Sequence, residues 1–116
     1  INTTFEFIAN KFTEVSENYS DVHCELGGKM NPLYVPKDSY LVKTLCKIYN
    51  DVTNSNAEPI AIGGATYARA FDNFVSFGAN LPGQKDMCHQ TDEFVYIDNL
   101  LLAYEIYCRA IYELLH

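Results

Sequence analysis

The chain has 116 residues, 48% of them hydrophobic, which is enough for one ordinary core and too few for two independent domains of usual size. Fifteen acidic against eight basic residues give a formal charge of -7. That balance argues against nucleic acid and anionic membrane as partners, because both need a basic face to recover counterion entropy.

The most apolar run, Leu100 to Leu115, is broken by Glu105, Arg109 and Glu113, so no stretch reaches the roughly 20 residues that span a bilayer. Ile1-Asn2-Thr3-Thr4 has neither a basic n-region nor an apolar h-region, so no secretory signal is expected. A start on Ile rather than Met is expected of a piece excised from a longer chain. Cys24, Cys46, Cys88 and Cys108 fall singly and far apart, without a CxxC pair. Reduced thiols in a cytoplasmic protein are the reading this spacing favours.

In chain order, Thr3 followed by Glu6 matches a capping box, and Phe5, Ile8, Phe12 and Val15 then recur at helical spacing, predicting a helix over about 4–18. Asp21 to Leu26 alternates, with Val22, Cys24 and Leu26 on one side and His23 and Glu25 on the other, as a half-buried strand would. Lys29 to Pro36 holds two prolines without periodicity and reads as a connector between structural units. Asp38 or Ser39 can cap a second helix whose broad apolar face, Leu41, Leu45, Ile48 and Val52 beside Val42, Cys46 and Tyr49, ends near Asn54.

Pro59 to Ile62 and Phe74 to Phe77 are short apolar runs bounded by Gly63-Gly64 and by Gly78, and they predict strands. Asp98 can cap a last helix that is apolar over much of its circumference, and burial is expected of it. Helices alternating with strands predict an α/β fold.

Three segments carry polar groups at the ends of these runs. Gly63-Gly64 before Thr66, Tyr67 and Arg69 can leave amides open to an anion, although such a pair is more often a plain turn. Arg69 can hold a carboxylate or pair with one of many nearby acids. His89, in a polar loop, can bind a metal, titrate or face solvent, and the last is commonest.

The ordered set changes that balance. Gly63-Gly64-Ala65-Thr66-Tyr67-Ala68-Arg69, then Phe77-Gly78-Ala79-Asn80-Leu81-Pro82-Gly83, then His89-Gln90-Thr91-Asp92-Glu93, then an Asp98-Asn99-Leu100-Leu101 helix with Ile106-Tyr107 and Ala110-Ile111-Tyr112, resembles the PepV-type bacterial dipeptidases. These sit in the aminoacylase, carnosinase and ArgE/DapE group of zinc hydrolases. The resemblance runs from roughly Asn31 to His116 and includes Pro32 to Ser39 and Glu58-Pro59-Ile60.

The resemblance implies that residues 31–116 are the C-terminal part of a zinc-hydrolase catalytic α/β sheet domain, and that residues 1–30 are the last helix-strand element of its lid domain. It implies His89 as one metal ligand, a dipeptide substrate, and two zinc ions in a full-length parent whose other ligands lie upstream. Gly63, Gly64 and Thr66 match a loop facing the substrate's terminal carboxylate or the departing product. Arg69 follows in the same motif, and support of the loop is the role favoured for it. Asp92 and Glu93 match groups that support or cap the ligand segment. Cys88 departs from the usual residue before the histidine, and a small buried role is expected of it over metal binding.

Alone, the chain is expected to be inactive and to self-associate, because helices meant for a larger sheet leave apolar faces uncovered. Two alternatives stand beside the dipeptidase: an N-acyl amino-acid deacylase with the same metals, and a non-catalytic dimeric interaction module in which His89 is incidental. A thiol hydrolase using Cys88 with His89 is disfavoured, because neighbouring side chains in a loop rarely converge as nucleophile and base.

Overall fold

The computed structural model describes residues 3–28, 30–78 and 80–116. Ile1, Asn2, Lys29 and Ala79 lie outside the described residues, and with them the first residue of the proline connector and the alanine of the Phe77-Gly78-Ala79 segment. By its internal contacts the chain divides into two compact units, Ile1–Pro32 and Leu33–His116.

The first unit is built on α1, Phe5–Ser16. Thr4, not Thr3, caps it: its backbone is extended and its hydroxyl accepts from the Phe7 amide at 3.2 Å. Glu6 therefore falls at the second helical position, one short of the reciprocal partner of a capping box, and its charge instead lies in the first turn, where the helix dipole favours it. Phe12 and Val15 of the helix line an open groove with Tyr19, Val22, His23, Cys24 and Glu25, which follow it.

The second unit begins with α2, Tyr40–Thr53. Ser39 caps it, its hydroxyl accepting from the Val42 amide at 3.3 Å. Asn54 ends it in the left-handed region at φ 48, a conformation Asn tolerates better than most residues. The Asn50 side chain secures that end, its Oδ1 accepting from the Ala57 amide at 2.7 Å and from the Ser55 hydroxyl at 2.9 Å.

α3, Ile97–Leu115, closes the chain. Tyr96 occupies the cap position without a side-chain hydrogen bond, so Asp98 does not cap the helix but lies in its first turn. α2 and α3 pack against each other. Leu45 and Ile48 meet Ile106 and Ala110, with Leu41, Val52 and Leu102 packed around them. Ile106 is only 1% exposed and centres the cluster. The Tyr40 hydroxyl adds a bond to the Glu113 carbonyl at 3.2 Å.

Two further expectations fail. Among the described residues there is no strand: Asp21 to Leu26, Pro59 to Ile62 and Phe74 to Phe77 are irregular, and the described chain is helical, with α1, α2, α3 and one 3-10 turn. A ladder needs a neighbouring strand to take its amides and carbonyls, and these short runs find none among the described residues. Ile60 accordingly stays 85% exposed. Nor is α3 largely buried. Only Ile106 and Ala110 are, whereas Leu101, Tyr104, Ile111 and Leu115 face outward because α2 covers a single stripe.

Ile106→Ala should lower stability by about 3 kcal/mol in urea denaturation, from lost transfer energy and the cavity left behind. Ile111→Ala, at a site 60% exposed, should cost less than about 1 kcal/mol.

Candidate functional site

Gly63 and Gly64 form an exposed bend, and a Cβ at either would meet nothing within 4 Å. Thr66 leads from it into the 3-10 turn Tyr67–Ala70, where the Arg69 amide donates to the Thr66 carbonyl at 3.2 Å. Thr66 and Arg69 are half-buried. The Ser76 hydroxyl donates to Thr66 Oγ1 at 2.8 Å, tying this turn to the following segment. Phe71 and Phe74 stack obliquely between them, ring centres 4.8 Å apart. An open cleft results, walled by Tyr67, Ala68 and Phe71 on one side and by Phe74, Val75 and Phe77 on the other.

The chain then passes Phe77, Gly78 and Asn80 and returns to the core at Leu81, which is buried against α2 and α3. Beyond it, the Gln84 amide donates to the Leu81 carbonyl at 3.1 Å, and the Gln90 amide to the Met87 carbonyl at 3.1 Å. His89 lies inside the second turn, exposed, in the left-handed region at φ 60. Asp92 takes the same conformation at φ 58 in the next turn.

Asp86 is a member of this group that sequence reasoning missed. Its Oδ1 accepts from the Cys88 amide at 3.0 Å. That bond, a second from the Cys88 thiol and the nearby His89 charge hold its carboxyl below the ordinary range. The signal was present, since an aspartate accepting from the amide two residues on is a standard local turn. The Cys88 thiol is pushed up in return, first by its hydrogen bond to Asp86, then by the Asp86 charge, with Glu93 adding to both. Cys88 is exposed rather than buried.

The structure thus forms two local groupings, Thr66 with Ser76 and His89 with Asp86, Cys88 and Glu93. Among the described residues no group of three or more His, Cys, Asp or Glu could hold a metal ion. His89 has the donor character zinc favours, but the described chain does not complete a metal site by itself.

Comparison with known proteins bears on what such an arrangement serves. Residues 8–113 match the model of peptidase family M20/M25/M40. A Bacillus subtilis (strain 168) protein named "Putative dipeptidase YtjP" is 47% identical over 83 residues, covering 72% of this chain and 18% of that protein. A Staphylococcus epidermidis protein named "Putative dipeptidase" is 40% identical over 111 residues, 95% of this chain and 23% of its own length. The chain therefore spans less than a quarter of the curated relatives it matches. No solved structure matches.

The Asp86–Cys88 contact has a measurable consequence. The thiolate is the form that reacts, and here its formation is delayed to higher pH. Iodoacetamide alkylation of Cys88 should begin at higher pH than for an ordinary exposed thiol. Asp86→Asn, which removes the charge, should move the onset down; an unchanged profile would refute the contact.

Proposed function

The chain belongs to peptidase family M20/M25/M40, and from that premise we propose that it is the C-terminal part of a longer enzyme that hydrolyses dipeptides with two zinc ions, His89 supplying one ligand. The observation that carries this reading is the family match over residues 8–113, joined to relatives whose names say dipeptidase. Those names also favour dipeptides over N-acyl amino acids as substrate.

Two zinc ions would supply an activated water and a polarised scissile carbonyl. This chain's own residues act around them. His89 presents its imidazole from an exposed turn, with Asp86 beside it and Glu93 near Cys88. The bend at Gly63 and Gly64 leaves amides open to a substrate carboxylate, and Thr66 is held in place beneath it by Ser76. Arg69, on the 3-10 turn, supports that bend. Asp92, turning the chain after His89, keeps the histidine's segment compact.

In this reading residues 31–116 return to an α/β sheet domain, residues 1–30 finish a lid, and the remaining ligands and the general base lie elsewhere in the longer protein. The runs at Pro59 to Ile62 and Phe74 to Phe77 would become strands there. A cytoplasmic location fits the four free cysteines. No helix among the described residues is long and apolar enough to cross a membrane. Alone, the chain self-associates through apolar surface such as that of Leu101 and Ile111.

In the full-length protein, His89→Ala should lower kcat/KM on dipeptides by more than about 100-fold, beyond what loss of a supporting group around a metal ligand costs. A chelator should abolish activity and zinc restore it. The purified 116-residue chain should hydrolyse no dipeptide with added zinc and should sediment as an oligomer. Activity in that chain would show that the other ligands are not needed, and a monomer would overturn the self-association.

A further inference from the structure

We infer that Tyr49 and Tyr107 are positioning residues: from two different helices, their hydroxyls fasten the backbone that leads to His89. The inference rests on the role proposed for His89 and adds the device that sets its place.

Tyr49, on α2, donates to the Asn80 carbonyl at 2.9 Å. Tyr107, on α3, donates to the Phe77 carbonyl at 3.3 Å. Both helices are themselves held by the Ile106 cluster, so the two bonds refer the loop to one rigid support. Gly78 shows how close the contact is. It stands at φ +92, and a Cβ there would lie 2.2 Å from the Tyr107 hydroxyl oxygen and 2.8 Å from Cζ. The tyrosine occupies the space any other side chain would need, and the Phe77 ring meets Tyr107 edge-on at 6.1 Å.

Leu81, seated in the core, fixes the far end of the fastened stretch. From there the route to His89 has little slack. Leu81 and Gln84 close on each other in both directions, the Leu81 amide donating to Gln84 Oε1 at 3.4 Å and the Gln84 amide to the Leu81 carbonyl at 3.1 Å. The turn from Met87 to Gln90 then sets the backbone of His89. A hydroxyl lost upstream is therefore felt at the histidine, although neither tyrosine is placed at the reaction.

The test uses Tyr49→Phe, Tyr107→Phe and the double variant, which keep the rings and remove the bonds. In the 116-residue chain, amide hydrogen exchange at Gln84 and Gln90 should speed up about tenfold or more in the double variant, which loses both hydrogen bonds, while Leu45 and Ile48 in α2 keep their protection. In the full-length protein kcat on a dipeptide should fall about 10- to 100-fold with KM little changed. Exchange that stays unchanged at Gln84 and Gln90, or rises equally in α2, overturns the inference. So does a full-length protein that His89→Ala inactivates while both tyrosine variants keep wild-type kcat. A full-length protein that ignores His89→Ala refutes the dipeptidase reading instead, and the exchange result then decides the fastening alone.

Discussion

The packing of α2 on α3 through one narrow stripe is the constraint on which the second unit rests. Leu41, Leu45, Ile48 and Val52 recur along α2, and Leu102, Ile106 and Ala110 recur along α3, three or four residues apart. Ala110 is small where the helices meet, and Ile106 fills the centre. Leu81 completes the cluster from the loop side, so the segment bearing His89 shares its anchor with the helix pair. The surface ion pairs, Lys47 with Asp51 and Glu105 with Arg109, are exposed i,i+4 pairs and contribute little by comparison.

A single stripe also explains what the fold leaves open. α3 carries apolar residues around most of its circumference, yet α2 covers only one side of it. Extended runs rich in Ile and Phe lie without ladder partners among the described residues. Both facts agree with a chain that matches less than a quarter of its relatives' length. Such a surface is expected where a larger domain would continue.

Local rules made the helices legible, and the ends of α2 most of all. Ser39, one of the two expected caps, starts it, and it ends at Asn54, near where its apolar face was expected to end. At α1 the same rule chose the wrong threonine, because Thr3 and Thr4 are both able to cap and only the helix register decides between them. The short apolar runs follow a different logic. Helical bonds close within a segment, whereas a strand exists only through a neighbour, and Pro59 to Ile62 has none among the described residues. The role proposed for His89 rests on the ordered motifs rather than on its own surroundings. Asp86 is readable as an aspartate two residues before the amide it accepts from. Tyr49 and Tyr107 were not readable, since their bonds to Asn80 and Phe77 span 31 and 30 residues and depend on how the helices pack.

The central claim is that His89 is one corner of a zinc site completed by residues of a longer protein. The most direct test is anomalous X-ray scattering at the zinc edge from crystals of the full-length protein grown with zinc. The account predicts two peaks about 3.5–4 Å apart, one of them about 2.0–2.1 Å from a ring nitrogen of His89. A fully occupied zinc pair with His89 turned away from both ions, or no zinc at all, would contradict it.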